Sequence, residues 1–251
     1  MKRELKNRTK LEEAIPIQTP FVIHVDTNNV CNFRCKFCTS GDHELLARYN
    51  RPKGFMTFDL FKKIIDDATQ FDGKVKDLLF HKNGEPLLHP DIVKMIRYAK
   101  QKNVANRTIL VTNASNFTPH LAREVADSGI DYIQISMQAV SDEGYKQVSQ
   151  VNISYDKLVF AVGYLFAHKK HTTHLNVKLM DTGLSEEERQ KFTNDFQNIC
   201  NTCGIEHPIS YTQPDIKDTS LGLKKETTHD DYMASYKEIC TLPFYTMNIN
   251  F

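Results

Sequence analysis

A charge imbalance is missing from this chain. Its 251 residues carry 32 lysines and arginines against 31 acidic residues, a net charge of +1. That balance gives no bulk attraction to nucleic acid or to an anionic membrane. Long apolar runs are missing as well. No stretch of about 18 apolar residues occurs, so no transmembrane helix is expected. The opening MKRELKNRTKLEEAIP is basic but holds no continuous apolar segment, so no secretory signal peptide is expected either. Six cysteines without an export signal argue against a disulfide framework and for reduced thiols, metal ligands or buried residues in a cytoplasmic protein.

What is present reads as an ordinary globular chain. Forty per cent of the residues are hydrophobic and 25% are charged, and the length suits one sizeable domain or one domain with an appendage. The pattern alternates strands with helices. FVIHVD (21–26) is the first strand, and it leads directly into a cysteine segment. TFDLFKKIIDDATQF (57–71) is a helix with Thr57 as N-cap and an apolar face at helical spacing. KDLLFH (76–81) is a strand, and the helix after it starts near Pro90. TILVTNA ends a strand near Asn113, and Thr118 and Pro119 open a helix that Gly129 stops. DYIQISMQ ends a strand near Ser136, and SYDKLVFAVGYLFAHKK (154–170) is a helix. HLNVKLM (174–180) is a strand, and Ser185 with Glu188 forms a capping box for the next helix. IEHPISY (205–211) is the last core strand, weakened by Pro208.

This order predicts βα units and a parallel sheet, with doubly wound and barrel forms both open. In either form chemistry gathers at the C-terminal ends of the strands. QPDIKDTSLGLKKETTHDD (213–231) reads as a polar linker. Tyr245, Met247, Ile249 and Phe251 then alternate with polar residues at strand periodicity, with no turn or partner strand in view. Such a lone edge is a liability, and the chain is expected to be a fragment of a longer protein.

The chemistry concentrates in CNFRCKFC, where Cys31, Cys35 and Cys38 are spaced C-x3-C-x2-C with no fourth cysteine close by. Structural zinc sites are closed by four protein ligands. A four-iron cluster held by three thiolates leaves one iron open, and an open iron can bind a substrate. Thiolates also favour iron and zinc over magnesium or calcium. The plainer reading, buried inert thiols, fits poorly with three cysteines on one polar loop.

With Phe37 before the last cysteine and a strand before the first, this segment resembles the radical S-adenosylmethionine (radical SAM) superfamily. Asn83, Gly84, Glu85 and Pro86 resemble that family's G-G-E-P motif, with Asn83 in place of the first glycine. LVTNAS and IQISMQ sit where the family has its third and fourth strands. The resemblance covers roughly residues 20–211.

The resemblance implies an α/β fold, a partial (β/α)6 TIM-type barrel with parallel strands and a short C-terminal extension. It implies a division into an N-terminal extension (1–19), a core domain (20–212), and a linker with the start of an extension (213–251). It also implies that Cys31, Cys35 and Cys38 hold a 4Fe-4S cluster whose open iron binds S-adenosyl-L-methionine. The backbone of Gly84, Glu85 and Pro86, beside Asn83, would take the methionine amino group, and the Phe37 main chain would approach the adenine. Ser136 and Gln138 would reach the carboxylate or ribose, Asn113 would support them, and Lys178 would pair with the carboxylate. The implied activity is reductive cleavage of S-adenosylmethionine to a 5′-deoxyadenosyl radical that abstracts hydrogen from a peptide, a protein or a saccharide. A flavodoxin or ferredoxin would donate the electron.

CTLPFYTMNIN resembles the start of a SPASM-type extension, but Cys240 alone cannot hold an auxiliary cluster and is expected to be a free thiol. Cys200 and Cys203 form C-x2-C at a helix end and are expected to pack rather than bind metal. His168, His171 and His174 resemble a metal tract, but His168 suits the last turn of a helix electrostatically. Glu85 is expected to order its loop. The basic residues Lys2, Arg3, Lys6, Arg8 and Lys10 are expected to be solvated. Two alternatives stay open: a cluster-bearing scaffold or sensor without turnover, and a structural zinc module with His24 or His43 as fourth ligand.

Overall fold

Short β-branched and apolar stretches, each bounded by a capped helix, build the sheet. The computed structural model describes residues 11–50, 52–207 and 240–250, together with the backbone of 228–229 and 232–233. After a short helix α1 (Leu11–Ala14), strand β1 (Val22–Val25) runs into the cysteine loop and helix α2 (His43–Arg48). Then come α3 (Phe58–Ala68), β2 (Val75–Phe80), α4 (Ile92–Lys102) and β3 (Ala105–Thr112). They are followed by α5 (Pro119–Asp127), β4 (Tyr132–Met137), α6 (Asp142–Ser149) and α7 (Tyr155–His168). The core closes with β5 (His174–Met180), α8 (Glu186–Phe196) and β6 (Thr202–Glu206). Two short antiparallel strands, β7 (Thr228–His229) and β8 (Tyr232–Met233), precede β9 (Thr246–Ile249).

The expected caps are in place. Thr57 accepts from Leu60 N, Thr118 from Leu121 N and Ser154 from Lys157 N, and Ser185 with Glu188 makes the capping box. Pro90, however, lies before Asp91, which occupies the N-cap position of α4. The last core strand begins at Thr202, three residues before the expected start, so Cys203 lies on β6 rather than at a helix end. Helices α2 and α6 carry too few apolar residues in sequence to stand out by periodicity.

The strands form one open, all-parallel sheet in the order β6-β5-β4-β3-β2-β1-β9. This is the partial barrel, extended by one strand. The C-terminal stretch is therefore no lone edge: Val22 pairs with Thr246, and Val25 with Ile249. The main chain of Phe21 donates to Tyr245, and that of Asp26 to Ile249. The 213–231 linker lies almost wholly outside the described residues, as do the basic residues 2–10.

Alternation gives the sheet two unlike faces. Ile23, Val25, Leu78, Phe80, Ile133, Ile135, Leu175, Val177 and Leu179 are fully buried and pack against the helices through Phe61, Ile96, Val125, Val162 and Phe196. Each such side chain contributes about 1.5–3 kcal/mol of burial. The other, concave face is half-exposed and polar: His24, His81, Gln134, Ser136, Asn176 and Lys178 point there. Its lower edge is tied across five strands. Arg107 grips Asp77 at 2.7 and 3.0 Å and lies 5.3 Å from the Tyr132 ring. Tyr132 stacks on His174 at 5.0 Å, and His174 Nε2 reaches Thr202 Oγ1 at 2.8 Å.

Candidate active site

The three cysteines lie on the loop after β1, at the C-terminal end of the sheet. Residues along this loop alternate: Phe33 and Cys35 are buried while Asn32, Arg34 and Lys36 face solvent. Helix α6 holds the loop. It ends at Gln150 in a left-handed conformation, which frees its last carbonyls. Arg34 N donates to Ser149 O at 2.9 Å and Lys36 N to Val148 O at 3.0 Å. Gln150 Nε2 donates to Arg34 O at 2.8 Å. Phe33 packs edge-on against Tyr145 of α6 at 5.8 Å, and Phe37 packs against the core.

All three thiols are free. Burial pushes Cys31 up to about 11, with the Glu85 and Cys38 charges adding to the shift. Burial pushes Cys35 up to about 12, although a hydrogen bond from its Sγ to Ser149 Oγ at 3.2 Å opposes the shift. The negative charges of Cys38 and Cys31 raise Cys35 further, so the thiols lie within electrostatic reach of one another. They do not form a ready-made ligand set: among the described residues no three metal-binding side chains converge. Cys35 has to leave Ser149 to take up a ligand position.

Residues 83–86 are fastened to the same loop from the side of β2. Asn83 donates to both carboxylate oxygens of Asp26, from its main-chain N and from Nδ2, each at 2.7 Å. Glu85 N donates to Val30 O at 2.8 Å, and Asn28 Nδ2 donates to Glu85 O at 3.0 Å. Gly84 has φ +81°, and a Cβ there would come within 2.8 Å of Asn28 O, Asn28 Oδ1 and Val30 O. The Glu85 carboxylate accepts from Leu87 N at 2.9 Å, Asn113 N at 2.7 Å and the Thr112 hydroxyl. It orders the loop, as expected. Burial nonetheless pushes its pKa up to about 7.

Asn113 sits above β3, where its Nδ2 donates to Asn32 Oδ1 at 3.0 Å and its Oδ1 accepts from Ser115. Ser136 lies on the concave face opposite Lys178 of β5. Gln138 Nε2 donates to Ser136 O at 3.0 Å, while its Oε1 is buried without a partner among the described residues. Lys178 is already paired, with Glu206 at 2.7 Å. Cys31, Cys35, Cys38, residues 83–86, Asn113, Ser136, Gln138 and Lys178 thus share the C-terminal end of one sheet. Sequence reading missed Asp26, Asn28 and Ser149, whose contacts span 57 to 114 residues and leave no local signal.

The other candidates lie apart from this loop. Cys200 is buried, with its Sγ on Phe196 O at 3.0 Å, and burial pushes it up to about 12. His168 stacks on Tyr164 at 4.1 Å, and Cys240 is an exposed free thiol.

A 4Fe-4S cluster and S-adenosylmethionine fit these residues. Three free thiols share a loop, a glycine lets residues 83–86 pack closely against the base of that loop, and an orphaned amide oxygen lies at the end of β4. Comparison with known proteins agrees. A tungsten-containing aldehyde ferredoxin oxidoreductase cofactor-modifying protein of Pyrococcus furiosus is 30% identical over 118 residues, 47% of this chain and 31% of that one. An AdoMet-dependent heme synthase of Methanosarcina barkeri is 26% identical over 113 residues, 45% of this chain and 30% of its own. The matches thus span about a third of those relatives' lengths. Streptococcus suis SuiB bound to S-adenosylmethionine superposes with a TM-score of 0.62 at 16% identity, covering 83% of this chain and 45% of that chain. A second AdoMet-bound structure, anSMEcpe, gives 0.58 at 14% identity, covering 76% and 52%. The model for the radical SAM superfamily matches residues 25–196, which hold the cysteine loop and the core strands β2 to β5, and the chain belongs to that superfamily.

Proposed function

We propose that this chain is the catalytic core of a radical SAM enzyme that abstracts hydrogen from a polar substrate. The observation that carries the reading is the cysteine loop with residues 83–86 laced to its base. The cofactors of the superfamily are a 4Fe-4S cluster and S-adenosylmethionine. When bound and reduced, they would supply radical chemistry, the abstraction of a hydrogen atom from substrate. Cys31, Cys35 and Cys38 would hold the cluster, trading thiol protons for metal. The main chain of residues 84–86 takes the methionine amino group, and Asn83 fixes that main chain through Asp26. Ser136 and Gln138 orient the carboxylate or ribose, and a ribose hydroxyl would give the orphaned Gln138 Oε1 its missing donor. Phe37 approaches the adenine, Asn113 supports the rim, and Lys178 exchanges Glu206 for the carboxylate.

The core spans 20–212, and 213–251 begins a SPASM-type extension. A peptide or protein substrate is favoured over a saccharide, since one neighbour of TM-score 0.58 was crystallised with its precursor peptide. A flavodoxin or ferredoxin delivers the electron in the cytoplasm. Among the described residues no helix is long and apolar enough to cross a membrane.

The test is anaerobic reconstitution with iron and sulfide, followed by dithionite and S-adenosylmethionine. The expected product is 5′-deoxyadenosine, lost together with bound iron in Cys35→Ala. Normal cleavage by that variant would refute the ligand assignment. A full, reducible cluster without product would favour the scaffold or sensor. His43 lines one pocket with Cys35 and Cys38, so a colourless, zinc-loaded protein would favour the zinc module.

A further inference from the structure

Asn32, between the first cysteine and Phe33, is exposed, yet both ends of its carboxamide are engaged. Its Nδ2 donates to Ser115 Oγ at 2.8 Å, and its Oδ1 accepts from Asn113 Nδ2 at 3.0 Å. The Ser115 hydroxyl donates in turn to Asn113 Oδ1 at 2.7 Å, and Ser115 N reaches the same oxygen at 3.0 Å. The three side chains close a ring in which each donor meets an acceptor. Turning either amide over would set two donors or two acceptors against each other, so the ring has one arrangement.

Exposed hydrogen bonds hold little by themselves, because water competes for both partners. This ring stands on a buried base. Asn113 is itself buried, and its main-chain N donates to the buried Glu85 carboxylate at 2.7 Å. Ala114 follows with φ +62°, a left-handed conformation that an alanine keeps only where its surroundings impose it. Its N donates to Thr112 Oγ1 at 3.0 Å, and the Thr112 hydroxyl donates to Glu85. The left-handed residue turns the chain back so that Ser115 reaches Asn113.

What this ring holds is the turn at Cys31. Across Asn32, the Phe33 N donates to Cys31 Sγ at 3.4 Å. A main-chain N–H on a thiolate ligand draws negative charge from the sulfur and so favours the reduced form of a cluster. The direction of that N–H depends on the Asn32 backbone, and the Asn32 side chain is the handle by which the end of β3 fixes it. The next amides of the loop are fixed from the other side: Arg34 N and Lys36 N donate to Ser149 O and Val148 O of α6.

We propose that Asn32, clasped by Asn113 and Ser115, is a positioning residue that keeps the Phe33 N–H on the Cys31 sulfur and thereby raises the reduction potential of the cluster. This rests on the radical SAM reading for the presence of the cluster, and it adds a control on how readily the cluster accepts its electron.

The first test is hydrogen exchange on the metal-free chain. In Asn32→Ala the Phe33 amide should lose at least about tenfold in protection, while the Arg34 and Lys36 amides keep theirs. Equal loss at all three would mean a loosened loop, and no loss at Phe33 would mean that the clasp does not hold its N–H; each overturns the proposal. The second test is potentiometric titration of the reconstituted cluster with dithionite, without S-adenosylmethionine or substrate. Asn32→Ala should lower the midpoint, shifting the reduction equilibrium at least about threefold, or about 28 mV at 59 mV per tenfold for one electron. Ser115→Ala should lower it in the same direction, and Ser115→Thr, which keeps the hydroxyl, should leave it at the native value. Should Asn32→Ala hold no cluster, Ser115→Ala carries the midpoint test. An unmoved midpoint, or one as low in Ser115→Thr as in Ser115→Ala, would overturn the proposal and leave the radical SAM reading standing. A native chain that takes up no iron would overturn both. Neither measurement needs turnover.

Discussion

At the scale of single residues, Glu85 and Gly84 show how the loop after β2 is held. Glu85 binds its proton more tightly folded than unfolded, since burial lifts it from the usual 4.5 to about 7. A raised carboxyl favours the fold while protonated. That contribution is full below pH 4.5 and is lost as pH rises to about 7, an effect of about 3 kcal/mol before any relaxation. Chemical unfolding of the metal-free chain should show this fall, and Glu85→Gln should flatten it. Gly84→Ala meets both a positive φ and three oxygens, and should destabilise by about 3 kcal/mol in the same unfolding experiment. The glycine and glutamate were legible in sequence because they form a local motif. Their partners Asn28 and Thr112 were not, because those contacts exist only after the strands align.

At the scale of elements, caps and periodicity did most of the work. Thr57, Thr118, Ser154 and Ser185 marked helix starts because a side-chain oxygen satisfies main-chain donors within three residues. Helix α6 carries too weak an apolar period to show in sequence, yet it holds the cysteine loop by its last carbonyls. Strand β9 shows a different limit. Its alternation was visible, but its parallel seat against β1 was not, because the pairing joins residues more than 200 positions apart. Hydrogen exchange checks that seat. The Asp26 and Phe21 amides, bonded to Ile249 and Tyr245, should be protected in the intact chain and lose protection when residues 240–251 are removed.

At the scale of the whole molecule, one contiguous core joins the sheet to its helices, while the concave face stays polar and open. Cluster binding adds a ligand that the unfolded chain does not hold in the same geometry. Reconstitution should therefore raise the melting temperature, and an iron chelator should reverse the gain. Cys35→Ala should show neither change, because the site then lacks one of its three thiolates.

The sequence by itself determined the α/β order, the helix caps and the identity of the three thiols. All of these depend on neighbours within a few residues, where propensity and spacing act. Only the tertiary structure decided which groups meet at the strand ends: Asp26 with Asn83, Ser149 with Cys35, Glu206 with Lys178. Those relations follow from strand order and register, which are set by burying one face of every strand at once and so are not written in any single stretch of sequence.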